Sequence, residues 1–465
     1  MPSKPCSLWE SITAAGLPAG RLYGAAATVT LADLAGASSL GGRLEALRGR
    51  SVLLTVRDPL RAALAMLELD GVAARMVLCP ADLAAEHLRH VARNAAADAW
   101  VDDAGSAASA LDGIRLGVGV DPQLAAAAAP RVRSHETEWV LLTSGTTGIP
   151  KLVSHDLATL TDALTDTRPA TDAVVWGTFY DIRRYGGLQI FLRAVHLGSL
   201  VPSDPGEPVP AFLERARAAG VTHISGTPSH WRKVLMSGAG STIAPRYVRL
   251  SGEIADQAVL DALRAAYPKA IVAHAFASTE AGVAFEVRDG LAGFPADFID
   301  APGASVRLTL TSDTLRVRSG GNAHGYLGDD AGSFQRGSDG AVDTGDRVEE
   351  RAGRYYFLGR QGGVINVGGL KVYPEEIEAV INSHPWVRMS LVRARHNPIT
   401  GAIVVAEVVL TDERPGTQRP APEALTRDLI HTCRQSLAAY KVPASIRIVP
   451  RLEVSASGKL VRPNA

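Results

Sequence analysis

The chain has 465 residues, 46% of them hydrophobic, which is enough for more than one buried core and predicts two or three structural units. Lysine plus arginine and aspartate plus glutamate number 48 each, so the charge balance favours neither a nucleic acid nor an anionic membrane as a partner. The three cysteines, Cys6, Cys79 and Cys433, form no paired motif, which argues against a disulfide framework or a zinc site.

The amino-terminal residues carry an acid where a signal peptide needs an apolar stretch, and no uncharged apolar run reaches 18 residues. We therefore expect a cytoplasmic protein that does not cross a membrane, either a monomer or a homodimer.

From residue 51 onward, short β-type runs alternate with longer helical runs. Strands are predicted at 51–57, 74–78, 99–101, 140–143, 173–179, 200–202, 223–226, 247–250 and 270–275. Helices are predicted at 59–69, 81–94, 188–196, 211–219 and 256–267, whereas 104–130 looks like a poorly patterned connector, helical at best. The alternation predicts an α/β fold of mostly parallel sheets flanked by helices.

The pattern changes in the last third of the chain. Residues 304–358 are rich in strand signals and glycine turns, which predicts a small β-rich subdomain. Beyond residue 360 we expect a small α+β unit with strands at 363–367, 387–395, 403–410 and 446–449 and helices at 374–383 and 423–437. The segment GRQGG at 359–363 suggests a hinge, so the predicted domains are a large one at 1–359 and a small mobile one at 360–465.

A loop rich in glycine and hydroxyl groups, TSGTTGIPK at 143–151, follows a buried strand and precedes a helical pattern at 156–164. Backbone N–H groups and hydroxyls converging on one point, with a lysine beside them, suit a polyphosphate. A flexible surface turn is the alternative interpretation. The spacing fits neither GxxxxGK[ST] nor GxGxxG.

The segment SGTTGIPK at 144–151 closely resembles the signature loop of the adenylate-forming superfamily, which contains acyl- and aryl-CoA synthetases, peptide-synthetase adenylation domains and luciferases. Further segments resemble motifs of that superfamily in the same order: FASTEAG at 276–282, VDTGD at 342–346, GRQGGVINVGGLKVYPEEIE at 359–378 and SASGKLVR at 455–462. The resemblance spans most of the chain.

The resemblance implies an AMP-forming ligase that uses ATP and Mg²⁺, with Lys459, Thr279 and Glu280 at the reacting phosphate. Glu280 would hold the metal, Asp346 and Arg360 the ribose, and Lys459 the oxyanion and the α-phosphate. The full set of implied ATP or AMP ligands is Thr143, Ser144, Gly145, Thr146, Thr147, Gly148, Lys151, Ser251, Gly252, Glu253, Phe276, Ala277, Ser278, Thr279, Asp346, Arg360 and Lys459.

The matching region for the acid pocket is unusually polar, which argues against a long fatty chain. The candidate lining residues are Tyr180, Asp181, Arg183, Arg184, Tyr185, Gly226 and Thr227. Adjacent arginines also occur as surface pairs, so a pocket role is expected for one of Arg183 and Arg184, and Tyr185 is favoured over both as a lining residue. Gly368 and Gly369 resemble the segment that lines the acceptor tunnel in the superfamily. The acceptor would be either CoA or the phosphopantetheine of a carrier protein.

The leading hypothesis is therefore adenylation of a small polar or aromatic carboxylic acid, followed by transfer to a thiol. Activation of nitrite with ATP to diazotise an arylamine on the same fold is one alternative, and a nucleotide-binding protein that has lost catalysis is another. Two departures from the family pattern, Gly362 and Asn366, lie at the predicted hinge.

Overall fold

A computed structural model describes residues 7–14, 19–104, 114–127, 131–144, 149–164, 174–360, 363–367, 370–397, 401–411, 419–454 and 459–460. Within these residues, no helix is long and apolar enough to cross a membrane.

The helices are α1 Leu8–Ala14, α2 Leu31–Ala35, α3 Pro59–Leu69, α4 Ala85–Asn94, α5 Leu157–Thr161, α6 Tyr185–Leu197, α7 Val209–Ala218, α8 Pro228–Met236, α9 Gln257–Ala266, α10 Pro374–Asn382 and α11 Pro422–Ser436.

The strands are β1 Arg21–Tyr23, β2 Thr28–Thr30, β3 Ala37–Ser38, β4 Ser51–Leu54, β5 Arg75–Leu78, β6 Ala99–Asp102, β7 Leu116–Gly119, β8 Ala125–Ala126, β9 Glu138–Ser144, β10 Pro150–His155, β11 Val174–Thr178, β12 Gly198–Pro202, β13 His223–Gly226, β14 Tyr247–Ser251, β15 Ile271–Ser278, β16 Gly282–Val287, β17 Phe294–Pro295, β18 Arg307–Thr311, β19 Thr314–Arg318, β20 Gly325–Tyr326, β21 Val342–Arg351, β22 Arg354–Arg360, β23 Ile365–Val367, β24 Leu370–Val372, β25 Val387–Asn397, β26 Gly401–Leu410 and β27 Ser445–Ile448.

Two large sheets, parallel except at their edges, dominate the first part of the chain. One has the order β16-β15-β14-β13-β11-β12-β1-β2, with antiparallel pairing only at β15–β16 and β1–β2. The other has the order β20-β10-β9-β5-β4-β6-β7. The largest buried core joins both sheets through α3 and α6, which lie between them. Because parallel strands end at one edge, the loops after β11, β13, β14 and β15 meet there.

The rest of the described chain is smaller in scale. An antiparallel sheet over an aromatic core is formed by β17, β22, β21, β19 and β18. It agrees with the strand signals at 304–358. After β22, helices α10 and α11 pack on β25, β26 and β27 around a separate core that runs from Ile365 to Ile446. The predicted α/β class is thus confirmed, while the boundary at 359–360 stays a prediction.

The expected connector at 104–130 contains a strand that the sequence pattern did not indicate. Leu116–Gly119 forms β7, the edge of the seven-stranded sheet beside β6. A Cβ on Gly117 would lie 2.5 Å from the Trp100 ring, so the tryptophan occupies the space that a side chain would need. The sequence pattern did not indicate β7 because two of its four residues are glycines, which are depleted in strands.

Helix α8, which follows β13 directly, was also missed. Thr227 caps it by accepting a bond from the His230 N–H, and Pro228 occupies its first turn. Both are standard start signals, but the segment was interpreted only as part of a pocket lining.

Candidate active site

The predicted phosphate loop connects two neighbouring strands of the seven-stranded sheet. Strands β9 and β10 pair antiparallel, with Thr143 opposite Lys151. The helical pattern predicted at 156–164 agrees in part with α5 at Leu157–Thr161, but the strand β10, which the sequence pattern did not indicate, lies between the loop and this helix. Among the described residues, Lys151 is thus the part of the predicted anion site that the structure places, and no helix begins directly beside it. The predicted ligands Gly145, Thr146, Thr147 and Gly148 lie outside the described residues, and only the backbone of Ser144 is described.

Lys151 reaches from β10 over the neighbouring strand β20. Its Nζ lies 4.6 Å from the centre of the Tyr326 ring, 3.4 Å from Ser333 Oγ and 3.5 Å from Asp330 Oδ1. The two polar contacts are long for hydrogen bonds, and the side chain is partly exposed. Such an ammonium group can exchange these partners for phosphate oxygens.

Thr279 and Glu280 form the tight turn between β15 and β16. Buried His155 donates from Nε2 to the Thr279 carbonyl oxygen at 2.7 Å, and Tyr326 donates to Glu280 Oε1 at 3.1 Å. Gly282 has φ +76°, and a Cβ there would meet the Gly321 carbonyl at 2.7 Å, so only glycine closes this turn without strain. Tyr326 thus brings the candidate phosphate cation and the candidate metal carboxylate together.

Asp346 and Arg360 face each other across β21 and β22. Arg360 Nε lies 3.2 Å from Asp346 Oδ1, while Asp346 Oδ2 is buried and has no hydrogen-bond partner among the described residues. Burial raises the pKa of the Asp346 carboxyl, an effect that the Arg360 charge opposes. A buried acceptor without a donor is costly, so this carboxylate is suited to receive a hydroxyl group from a ligand.

The carboxyl end of β14 meets the carboxyl-terminal part of the chain. Glu253 accepts bonds from the Ser229 N–H at 2.9 Å and from the Leu460 N–H at 3.1 Å. Gly252 has φ +85°, and a Cβ there would lie 3.4 Å from Lys459 Cε. Desolvation lowers the pKa of the Lys459 ammonium, and the nearby Arg360 charge lowers it further. The structure therefore brings Lys459 to the same cleft as the Asp346–Arg360 pair.

The implied nucleotide ligands Phe276, Ala277 and Ser278 end β15. The Phe276 ring stacks on Phe357 with centroids 4.8 Å apart, so the β-rich subdomain already occupies part of its surface. Ala277 follows a register shift in the pairing with β16, and Ser278 Oγ accepts from the Ala281 N–H at 3.0 Å. Ser251 also lies near, because it pairs with Ala275 of β15, and its carbonyl accepts from the Tyr180 hydroxyl at 2.8 Å.

The polar residues proposed for the acid pocket are largely engaged with the protein itself. Arg183 is 1% exposed; its Nε lies 2.6 Å from Asp181 Oδ1, and its Nη1 donates to the Val56 carbonyl. Asp181 Oδ2 accepts from the Ala81 N–H at 3.2 Å. This ion pair joins the two large sheets, because Val56 and Ala81 follow β4 and β5.

The remaining pocket candidates differ in how freely they can meet a ligand. Arg184 donates to Asp82 Oδ1 at 2.5 Å and retains a buried Nε without a partner in the described part of the chain. Tyr185 is buried 5.8 Å from the His155 ring. Gly226 is closed in by Phe179, and Thr227 is used as the cap of α8. Gly362, Gly368 and Gly369 lie outside the described residues.

Two residues of this cleft were not found from the sequence. His155 and Tyr326 support Thr279 and Glu280 from β10 and β20, which are far away in the chain. A single histidine at a strand end and a tyrosine after a glycine carry no local signal. Only the pairing of β20 with β10 shows their role.

Groups suited to a ribose diol, to phosphates and to a divalent cation thus lie around one cleft, which is the arrangement of a nucleotide-binding site. The chain belongs to the AMP-binding enzyme family: the family model described as AMP-binding enzyme matches residues 26–317, and the one described as AMP-binding enzyme C-terminal domain matches 376–459. The resemblance to the adenylate-forming superfamily is thereby confirmed.

Named relatives share parts of the sequence. The mitochondrial acyl-coenzyme A synthetase ACSM5 of Homo sapiens is 38% identical over 120 residues, which is 26% of this chain and 20% of that protein. The chain thus matches about a fifth of that relative's length. The 2-succinylbenzoate–CoA ligase of Bacillus cytotoxicus is 26% identical over 346 residues, covering 70% of this chain and 69% of the relative.

The fold extends over the whole chain. The crystal structure of the anthranilate CoA ligase AuaEII in complex with anthranoyl-AMP superposes with a TM-score of 0.75 at 19% identity, covering 98% of this chain and 95% of that one. At this identity the likeness concerns the fold.

Proposed function

We propose that this chain activates a small polar or aromatic carboxylic acid with ATP and Mg²⁺ and passes the acyl group to a thiol, either CoA or a carrier-protein phosphopantetheine. The observation that carries the proposal is the Asp346–Arg360 pair, with its unpartnered Oδ2, lying beside Lys459. A carboxylate with a free buried oxygen suits a ribose hydroxyl, and the two nearby cations suit the adjoining phosphate.

The outer phosphates would meet the predicted phosphate loop and Lys151. Glu280 is the acid best suited to a metal ion, because Tyr326 fixes Oε1 from one side and Mg²⁺ is commonly held by one or two carboxylates together with substrate phosphates. No cluster of three or more metal-ligating side chains occurs in the described part of the chain, which agrees with a metal shared with a nucleotide. Such an ion would neutralise phosphate charge while pyrophosphate leaves.

In the first step, a carboxylate oxygen of the acid forms a bond to the α-phosphorus, and the bond from that phosphorus to pyrophosphate breaks. Lys459 would stabilise the negative charge shared between the incoming oxygen and the α-phosphate. In the second step, the thiol sulfur bonds to the acyl carbon, AMP leaves, and the thiol proton passes to solvent. Holding the reactants in line supplies much of the acceleration.

Two relatives support, by analogy, the proposed nature of the acid and of the acceptor. The Bacillus cytotoxicus relative is named for 2-succinylbenzoate, and the AuaEII complex holds anthranoyl-AMP. Both support a ring-bearing acid and a CoA thiol for this chain. Carrier-protein transfer stays the second acceptor to be tested.

Pyrophosphate release from ATP across a panel of aliphatic, benzoic and amino-substituted acids tests the proposal. Asp346→Asn should raise the KM for ATP, because the amide supplies a donor where a ribose hydroxyl needs an acceptor. Asp297→Asn, at an exposed acid remote from the cleft, is the matched control. If ATP turnover depends on no acid, or Asp346→Asn behaves like Asp297→Asn, the proposal fails.

A further inference from the structure

Between α6 and the eight-stranded sheet lies a group of polar side chains that the proposed chemistry does not use. On α6, Gln189 and Arg193 follow Tyr185 at intervals of four residues, which places all three on one face of the helix. On β14, Tyr247 and Arg249 alternate with core residues and share the face of Ser251.

The charges in this group do not balance. Arg249 is buried, and its Nε lies 3.0 Å from Glu286 Oε2; the other oxygen of Glu286 accepts from Arg288 Nε at 2.7 Å. Glu286 is thus fully engaged by two arginines. Arg193 lies in electrostatic range of Arg249 and Glu286, so a further positive charge faces a carboxylate that is already paired.

Arg193 has little compensation of its own. Its guanidinium makes one hydrogen bond, from Nη2 to the Ala163 carbonyl at 3.2 Å, and no ion pair with a described carboxylate. Burial, and then the like charge of Arg249, lower the pKa of Arg193 to about 10. A guanidinium carries five N–H donors, and a desolvated cation without a counter-charge is unfavourable. The site is therefore suited to an anion that arrives with a ligand.

Two uncharged side chains near Arg193 also have buried polar atoms without a hydrogen-bond partner among the described residues. Gln189 donates from Nε2 to the Leu160 carbonyl at 2.8 Å, but its Oε1 is buried without a donor among the described residues. Trp176 Nε1, on β11, is buried without an acceptor in the same part of the chain, and its ring lies 5.8 Å from Tyr247. Unsatisfied buried polar atoms are uncommon in folded proteins.

The depth of this group fits a short substrate. Ser251 lies at the end of β14 that opens to the cleft, and Arg249 lies two residues further in, about 7 Å at the usual strand rise. Long side chains on a helix lean toward its amino terminus, which directs Arg193 along α6 toward Tyr185 and the cleft.

We propose that the acid activated at the cleft carries a second carboxylate, which Arg193 binds between α6 and β14. The inference deepens the proposed function and rests on it. Arg193 is a specificity-determining residue: its fork of donors takes the distal carboxylate, while Lys459 serves the reacting one. A monocarboxylic acid of equal length has an uncharged distal end, so it leaves the Arg193 charge uncompensated and reacts poorly.

The test compares matched acids, hexanoate against adipate and 4-methylbenzoate against terephthalate, by pyrophosphate release in the wild type, Arg193→Gln and Arg217→Gln. Arg217 is exposed and pairs only locally with Glu214, so its variant is the matched control. We expect kcat/KM for the better diacid to exceed that for its monoacid by roughly 10²-fold in the wild type. Arg193→Gln should abolish this preference by lowering kcat/KM for the diacid, whereas kcat/KM for the monoacid should stay equal or rise, because no uncompensated charge remains at the site.

A second variant keeps the inference testable if Arg193→Gln does not fold. Gln189→Glu places a carboxylate one turn from Arg193, supplies the missing counter-charge and should favour the monoacids. Monoacids that react as well as diacids in the wild type, or an equal loss of both in Arg193→Gln, would overturn the inference and leave the proposed function standing. Pyrophosphate release in the absence of any acid would contradict both the inference about Arg193 and the proposed function.

Discussion

The hydroxyl of Tyr326 lies 3.1 Å from Glu280 Oε1, and this one bond ties the turn after β15 to the edge of the other large sheet. The same tyrosine ring carries the Lys151 ammonium on its face. The carboxylate proposed for the metal and the lysine proposed for the outer phosphates therefore share a support. Their spacing is set by a residue that needs no contact with the nucleotide.

Tyr326→Phe should raise the KM for the ATP–Mg²⁺ complex about tenfold and lower kcat less, because a hydrogen bond to a charged group contributes about 1.5–3 kcal/mol. The phenyl ring should still pack beside Lys151. Steady-state kinetics with varied Mg²⁺ measure the effect, and Tyr440→Phe, at an exposed tyrosine, is the control. A variant with unchanged Mg²⁺ dependence would show that Tyr326 does not position Glu280.

Lys459→Ala should fold normally and lose adenylate formation by at least roughly 10²-fold, as expected when one stabiliser of a developing charge is removed. The Gly252–Lys459 approach and the Leu460–Glu253 bond place this lysine at the cleft. Pyrophosphate release is the measurement, and Lys269→Ala, at an exposed lysine, is the matched control. Equal rates in the two variants would contradict the assignment.

Arg183→Ala should destabilise the protein by about 3–5 kcal/mol, because it leaves Asp181 as a buried charge without its partner. Arg184→Ala should lower the free energy of unfolding by less than about 1 kcal/mol, because the ion pair of Arg184 with Asp82 is partly exposed. Chemical denaturation of both variants measures the difference. If Arg183 instead binds the substrate, its variant will keep its stability and change the preference between acids.

The sequence predicted the fold class because long runs of period 3.6 and short apolar runs alternate clearly, as in α3 at Pro59–Leu69 and β13 at His223–Gly226. It did not predict β7, because glycine is rare in strands and the packing of Gly117 against the Trp100 ring is seen only in the folded chain. The resemblance placed one of Arg183 and Arg184 in a pocket, which stays a prediction, but nothing in the local sequence indicated that Arg183 donates to the Val56 carbonyl, far away in the chain. Residues that act through distant elements, such as His155, leave no periodic trace.

Stability should rise with pH between about 4 and 6.5. Burial lowers the pKa of His155 and His223 to about 4 and that of His230 to about 3. Within this window the unfolded chain binds more protons than the folded one, so acidification favours unfolding, by up to about 1.4 kcal/mol per pKa unit and ring. Asp70, whose pKa burial raises to about 6, acts in the opposite direction, as do Asp204 and Asp346, whose pKa values burial also raises.

Denaturation midpoints recorded from pH 4 to 8 measure this slope. His155→Gln should make it shallower, because an amide does not titrate, whereas His431→Gln, at an exposed histidine, should not change it. A stability that falls as the pH rises from 4 to 6.5 would mean that the buried carboxyl groups outweigh the three rings.

The hinge prediction concerns the contacts between the carboxyl-terminal part and the cleft. In this arrangement the Leu460 N–H bonds to Glu253 and Lys459 lies against Gly252, an arrangement suited to the first step. On the hinge hypothesis, the proposed thiol transfer follows after those contacts open. Gly362→Pro fixes one backbone angle at the predicted pivot, so it should spare pyrophosphate release and slow thioester formation at least tenfold.

The two half-reactions separate this effect from a general loss. Exchange of pyrophosphate into ATP reports the first step, and single-turnover transfer from preformed adenylate to CoA reports the second. Gly362→Ala, which restricts the backbone much less than proline, should leave both rates within about twofold. Because a misplaced hinge would disturb the Leu460–Glu253 contact as well, equal loss in both steps would place the pivot elsewhere in the chain.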